Sequence, residues 1–166
     1  MWLVVIATIL VIIDLLVLWL ALSGAPYIPT KAAGVERIIA CCELKPGLKA
    51  ADLGSGDGWL VIALARAGAE AHGFEINPLL VWWSRRKVRQ AGLEELAFIH
   101  WQNLWRADLS SFDYVTLFGA THIMRRLENK LRRELKPGSR VISLGFQFPT
   151  WPLQEQRGAI YIYQQV

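Results

Sequence analysis

The chain of 166 residues reads as an open α/β sandwich, its sheet mostly parallel with an antiparallel last strand, preceded by one N-terminal transmembrane helix. Three observations predict this. First, Ala50-Ala51-Asp52-Leu53 is a short apolar run closed by Gly54-Ser55-Gly56-Asp57-Gly58 and followed at once by Trp59-Leu60-Val61-Ile62-Ala63-Leu64-Ala65, the order of a buried strand, a tight turn and a helix. Second, strand-length and helix-length patterns alternate after it, until two strand runs near the C-terminus follow one another with no helix between, which calls for an antiparallel addition. Third, residues 2–22 are an almost unbroken apolar run of about 21 residues, enough at about 1.5 Å per residue to cross a hydrocarbon core of about 30 Å.

The front of the chain is organised for a membrane. Trp2 and Trp19 lie near the two ends of the apolar run, where indole rings favour the headgroup zone. A cleaved signal peptide is the competing reading, because Ser23 and Ala25 are small, but no basic segment precedes the run and Pro26 would follow the cut. Lys31 and Arg37 come after the run and no Lys or Arg before it, so the positive-inside rule puts a single-pass anchor at residues 1–23 and the rest of the chain in the cytoplasm. Asp14 interrupts the run at a cost of about 3 kcal/mol, and is read either as a lone tolerated acid or as a docking point for another membrane protein. Residues 24–30 form a stiff linker, since Pro26 and Pro29 forbid helix continuation. The folded domain is expected over 31–166. Its first helix, residues 31–44, sets Val35, Ile38, Ile39 and Cys42 on one face and closes at Pro46-Gly47. The adjacent Cys41 and Cys42 lack partners at metal-binding spacing and read as helix thiols in a reducing compartment.

The glycine turn is where a ligand is expected. Its backbone N–H groups and the helix start behind it leave donors exposed at close approach. The spacing is GxGxG; a dinucleotide fingerprint would need a glycine where the chain has Trp59, and a P-loop would need Gly-Lys-Ser/Thr. Ala71-His72-Gly73-Phe74-Glu75 is the next strand, ending in an acid roughly 20 residues after the turn, the offset of a carboxylate that accepts ribose hydroxyls. Glu75 is therefore the ribose candidate. Asn77-Pro78 stops the strand and starts a helix over 79–90, in which Trp82 and Trp83 read as packing residues.

Strands are expected over 96–101, 112–119, 140–145 and 158–163, with a helix over 123–135 ended by Lys136-Pro137-Gly138. The net charge of +4 is gathered into two clusters, Arg85, Arg86, Lys87 and Arg89, and Arg125, Arg126, Lys130, Arg132, Arg133, Lys136 and Arg140. Such clusters are read first as solvated helix faces, second as attraction to anionic lipid, and third as a nucleic-acid surface, since no aromatic-interleaved basic strand accompanies them.

These residues also carry a family resemblance. Asp52-Leu53-Gly54-Ser55-Gly56-Asp57-Gly58 and Gly73-Phe74-Glu75-Ile76-Asn77-Pro78 resemble the S-adenosylmethionine motifs of Rossmann-like class I methyltransferases. Pro26-Tyr27-Ile28-Pro29-Thr30, Leu104-Trp105 with Asp108-Leu109-Ser110, and Phe146-Gln147-Phe148-Pro149-Thr150-Trp151 resemble the small lysine methyltransferases of the adenine nucleotide translocase and the ATP synthase c-ring protein, and their archaeal relatives. The resemblance implies S-adenosyl-L-methionine as cofactor, no metal, and a protein lysine as the acceptor; the anchor places that acceptor protein at the membrane. It further implies that Asp52 and the turn Gly54, Ser55, Gly56, Asp57 and Gly58 hold the methionine portion, with Glu75 and Ile76 at the ribose. Asn103 and Leu104 would hold the adenine, with Trp105 as a wall, and Tyr27, Pro29, Thr30 and Phe118 would line the acceptor channel. Phe118-Gly119-Ala120-Thr121-His122 departs from the Asn-Pro-Pro-Tyr or acidic motif of many amine methyltransferases, which argues against a nucleic-acid amine and leaves an apolar mouth suited to a lysine stem. His122 is a candidate proton acceptor, although capping by Thr121 beside a surface histidine is the commoner arrangement. A lipid acceptor and a non-catalytic S-adenosylmethionine-binding module are the two other readings.

Overall fold

The structure, a computed structural model, describes the backbone of residues 1–23 and 32–166 and, outside 3, 13, 15–23, 32 and 33, the surroundings of their side chains. The elements in chain order are α1 (Trp2–Ser23), α2 (Ala32–Ile39), β1 (Lys49–Leu53), α3 (Trp59–Arg66), β2 (Glu70–Glu75), α4 (Pro78–Gln90) and β3 (Ala97–Trp101). A short 3-10 turn (Leu104–Arg106), β4 (Tyr114–Phe118), α5 (Thr121–Glu134), β5 (Arg140–Leu144), β6 (Glu155–Arg157) and β7 (Ile160–Gln164) complete it. The sheet order is β3-β2-β1-β4-β5-β7-β6. The strands β1 to β5 run parallel, whereas β7 pairs antiparallel with both β5 and β6.

Alternation along β1 explains the layers. Successive side chains of a strand point to opposite faces, and Ala50 joins one apolar cluster while Ala51 joins the other. The first cluster holds Leu60, Val61 and Leu64 of α3 and Val81 and Val88 of α4; the second holds Met124, Leu127 and Leu131 of α5. Each such fully buried side chain contributes on the order of 1.5–3 kcal/mol. Burial on both faces is why the strands read as apolar runs rather than as alternating patterns. The chain leaves β1 for β2 and β3 on one side and returns to β4 and β5 on the other, so the crevice of the fold opens at the carboxyl ends of β1 and β4.

Several sequence expectations are corrected here. The helix expected over 31–44 stops at Ile39, because the next residues turn: the Ala40 N–H still reaches Glu36, but those of Cys41 and Cys42 close tighter bonds to Ile38 and Ile39. The thiols of Cys41 and Cys42 donate to the Arg37 and Ile38 carbonyls, and burial pushes the Cys42 thiol up to about 12, which keeps it inert. An additional edge strand, β6, lies in what reads as a loop; Glu155, Gln156 and Arg157 are all exposed, so the segment carries no apolar signal. Ala120, not Thr121, is the N-cap of α5, and no side chain caps it. Trp82 and Trp83 are exposed rather than packed, because the inward face of α4 is taken by Val81, Ser84 and Val88.

The N-terminal run is helical, as its length implies. Side-chain exposure along it is described no further than Asp14, and among the described residues no helix is long and apolar enough to cross a membrane. The helix is thus established, and the crossing expected of it is not. The linker and its Tyr27, Pro29 and Thr30 lie outside the described residues.

Candidate cofactor and acceptor site

The site is built around a carboxylate held by backbone. The three glycines of the turn after β1, Gly54, Gly56 and Gly58, have φ of 79°, 54° and 80°, the left-handed region that side chains disfavour. This curls the chain back over β2: the Gly54 and Ser55 N–H groups donate to the Phe74 carbonyl at 2.9 and 3.1 Å. Glu75, the last residue of β2, is buried, and its Oε2 accepts from the Gly56 N–H at 2.9 Å. Its Oε1 accepts from the Ile76 and Asn77 N–H groups at 2.8 and 2.7 Å. A carboxylate has about four acceptor positions, so three fixed backbone bonds orient Glu75 and leave capacity for a hydroxyl donor from a ligand.

Two close packings hold the turn against its neighbours. A Cβ on Gly58 would come within 2.9 Å of the Ser84 Cβ, and the Ser84 hydroxyl lies 2.9 Å from the Gly56 carbonyl and 2.8 Å from that of Leu80. A Cβ on Gly73 would lie 2.6 Å from Ser55 Oγ and 2.8 Å from Val61 Cγ2, so Gly73 must be bare for the turn to settle on β2. Ser55 Oγ is buried with no hydrogen-bond partner among the described residues.

Asp52 sits at the bottom of the crevice. Its Oδ1 lies 2.9 Å from the Thr116 hydroxyl, which is also 3.1 Å from the Ala51 carbonyl. No described residue donates to Oδ2. Burial pushes the Asp52 carboxyl up to about 7, the Thr116 hydrogen bond opposes this, and the Glu75 and Asp57 carboxylates add to it. A buried acid beside two others is an environment that favours a cation, and a molecule with a positive amine or sulfonium end and a ribose fits the donors and acceptors present. Thr116 carries no sequence signal as a site residue; it is an interior position of β4 whose role depends on the β1–β4 register, Asp52 opposite Thr116.

The other expected binders divide. Asp57 is half-buried and paired at 2.6 Å with Lys87, whose ammonium also lies 4.9 Å from the centre of the Trp59 ring. Its carboxylate is therefore tied to α4. Ile76 gives its N–H to Glu75 and its carbonyl to the Trp101 indole at 3.0 Å. Asn103 accepts from the Trp105 N–H at 3.0 Å, which caps the 3-10 turn through its carbonyl oxygen and not through its amide donors. Leu104 is half-buried. Trp105 carries the Arg126 guanidinium over its ring at 4.2 Å. His100 is bound to His72 at 2.9 Å and stacked with it, and burial lowers its pKa; it is a strand histidine rather than a catalyst.

On the opposite side of the crevice the walls are aromatic. Phe118, the last residue of β4, is half-buried and meets Phe146 edge-on at 5.6 Å between ring centres. Phe146 is fixed from both directions: its carbonyl accepts from Ser143 Oγ at 2.6 Å, and the loop beyond it is fastened by the Phe148 N–H to the Tyr163 hydroxyl at 3.0 Å. Buried Glu128 of α5 takes both the N–H and the hydroxyl of Thr150, and the Trp151 indole donates to the Gln164 carbonyl at 3.2 Å. Glu128 and Tyr163 carry no sequence signal, because nothing in an amphipathic helix marks the one acid that turns inward. His122 is exposed at the start of α5. Among the described residues no cluster of His, Cys, Asp and Glu is arranged to hold a metal.

A profile of the ANTKMT methyltransferase domain matches residues 52–155, from the buried aspartate of β1 to the start of β6. The chain belongs to this family. The ANTKMT-type domain is 39% identical over 126 residues to the lysine N-methyltransferase of the ATP synthase c-ring protein from Rattus norvegicus, a match covering 76% of this chain but only 58% of that protein. A protein-lysine N-methyltransferase of Saccharolobus islandicus is 33% identical over 132 residues, covering 78% of this chain and 82% of the relative. Among solved structures, an RNA methyltransferase from Salinibacter ruber in complex with S-adenosyl-L-homocysteine superposes with a TM-score of 0.77 at 31% identity, over 83% of this chain and 92% of that one. The fold is thus the Rossmann-like class I methyltransferase sandwich, here with antiparallel strands at one end.

Proposed function

We infer that this ANTKMT-type domain transfers a methyl group from S-adenosyl-L-methionine to a lysine amine of a membrane-associated protein. The observation that carries this is the pairing of a backbone-locked Glu75 and a buried Asp52 at one side of the crevice with the Phe118–Phe146 wall at the other. The first side suits a ribose and a cation, the second an aliphatic stem. The relatives named above, two of them lysine N-methyltransferases, support the choice of acceptor.

The bound cofactor would supply an electrophilic methyl group on a sulfonium. Everything else falls to the chain. Glu75 and the glycine turn fix the ribose end, Asp52 attracts the cationic end, and Asn103 serves the adenine side. Phe118 and Phe146 exclude water from the acceptor's path, and a desolvated lysine amine loses its proton more readily, so the nucleophile is produced by burial rather than by a dedicated base. Tyr27 and Thr30 complete the channel in this reading by family resemblance.

The apolar helix α1 anchors the domain. Its 22 residues reach about 33 Å, the depth of a hydrocarbon core, and the positive charges that follow it favour a cytoplasm-facing domain. The deciding experiment adds the purified full chain, in detergent, to membranes lacking it, with labelled S-adenosylmethionine, and counts protein, lipid and RNA fractions separately. Label recovered as methyl-lysine in protein supports the reading; label only in lipid, only in RNA, or in none of the fractions despite cofactor binding overturns it.

A further inference from the structure

Four of the eight tryptophans are exposed on one face. Trp59, Trp82, Trp83 and Trp101 keep 53%, 58%, 57% and 64% of their surface, and Leu79 beside them 75%. They are contiguous: the Lys87 ammonium lies 4.9 Å from the Trp59 ring and 5.9 Å from that of Trp83, and Trp82 and Trp101 line one shallow cleft of about 380 Å³ with Pro78 and Arg89. With roughly 250 Å² available to each indole side chain, the exposed aromatic area is on the order of 500 Å², as large as the functional patches of soluble proteins.

Charge gives the patch its partner. The helix α4 carries Arg85, Arg86, Lys87 and Arg89 and no acidic residue. Arg85 is spent on the Ile99 carbonyl and Lys87 on Asp57, but Arg86 and Arg89 are exposed and no described carboxylate pairs with them. A protein interface concentrates aromatic residues in a core from which charge is depleted. Indoles interleaved with free guanidinium groups and one leucine are the composition of the lipid headgroup zone, where the rings sit at the interface and the cations meet phosphate. The patch also has a direction. Trp101 ends β3 opposite Glu75, Trp59 opens α3 after the glycine turn, and Pro78 opens α4, so the whole face lies at the carboxyl edge of the parallel sheet, the same edge as the crevice.

We propose that the face formed by Trp59, Leu79, Trp82, Trp83, Trp101, Arg86 and Arg89 is an interfacial docking surface for anionic lipid, and that it turns the mouth of the methyltransferase site toward the bilayer. The face does this by its own residues and does not need α1 to cross. An acceptor amine at the membrane surface then reaches the crevice without leaving the interface.

The test uses the full chain in phosphatidylcholine vesicles with and without phosphatidylglycerol, the lipids being brominated near the headgroup end of their chains. Tryptophan quenching is compared between wild type and Trp82→Phe/Trp83→Phe, so that Trp2 and Trp19 contribute equally to both. The expected result is extra quenching in wild type that requires phosphatidylglycerol, and an anionic-lipid dependence that weakens roughly fivefold for each of Arg86→Gln and Arg89→Gln. Cofactor affinity, which none of these residues serves, stays unchanged and reports an intact fold. Equal quenching in wild type and variant overturns the proposal. So does cross-linking through Trp82 in detergent without lipid, which would make the occupant a second copy, or shielding that appears only when a protein acceptor is added. Flotation of the same samples separates this from the anchor: if α1 inserts, all variants float; if it does not, only phosphatidylglycerol floats wild type and the variants stay behind.

Discussion

The two walls of the crevice are made in different ways. On the β1–β2 side, a carboxylate is fixed by three backbone N–H groups that all come from residues 56, 76 and 77 flanking two adjacent strands. On the β4–β5 side, an aromatic pair is held by side chains from afar: Glu128 on Thr150, Tyr163 on Phe148, Ser143 on Phe146. The first wall is a consequence of glycine conformations and chain direction, and it tolerates little change. The second is a set of tertiary bolts that can be loosened one at a time. The comparison implies that variants on the first side should abolish cofactor binding together with stability, and variants on the second should spare the cofactor and alter the acceptor.

The largest effect is expected from Gly73→Ala. The added Cβ meets Ser55 and Val61 at 2.6–2.8 Å in a packed interior, and overpacking of this kind costs about 1–3 kcal/mol. Urea unfolding should show that loss and calorimetry a collapse of S-adenosylmethionine affinity; a normal affinity would mean that the turn does not need its seat on β2. Next, Glu75→Ala removes an acceptor of charge-assisted hydrogen bonds worth ~1.5–3 kcal/mol each. Cofactor affinity should fall at least roughly tenfold by calorimetry, with stability falling too because three N–H groups lose their partner.

Glu128→Gln sharpens the contrast from the other wall. The loop from Phe146 to Trp151 loses a charged acceptor at a buried position, about 1–3 kcal/mol, so the KM for the acceptor should rise while cofactor affinity stays within a factor of about two. A parallel loss of cofactor affinity would erase the distinction between the walls.

The pH dependence follows from Asp52. Its folded pKa, about 7, lies above the ordinary value of about 4. The folded protein therefore binds more protons than the unfolded chain between these values, and stability falls as pH rises from about 4 to about 7. Asp52→Asn should flatten that slope in a set of unfolding curves. A cation bound beside Asp52 favours the carboxylate, so cofactor binding near pH 7 should release protons, seen as a dependence of the calorimetric enthalpy on buffer. The smallest effect belongs to Lys87→Met. Its pair with Asp57 is only partly shielded, worth at most ~1 kcal/mol, and cofactor affinity should move less than about threefold. A larger drop would return Asp57 to the cofactor contacts from which the structure ties it away.

What the sequence makes legible tracks these same differences. The turn, Glu75 at its offset, the Asn77 cap with Pro78 behind it and the antiparallel last strand are all set within short windows, and each stands where those windows predict. Trp82 and Trp83 escape a sequence reading because helical rhythm decides which residues share a face but not which of two apolar faces meets the sheet. The helix over 31–44 reads too long because Cys41 and Cys42 continue the apolar rhythm after the backbone has begun to turn.

By itself, then, the sequence determined the βαβ order, the glycine turn with its acid, the apolar N-terminal helix and the family, because glycine conformation, capping and hydrophobic period act over a few residues. Only the tertiary structure decided that Thr116 reaches Asp52, that Glu128 holds the Phe146 loop, that Asp57 belongs to Lys87 and that four tryptophans face outward. Those outcomes depend on strand register and on which groups compete for the same burial, and such competition is settled between segments far apart in the chain.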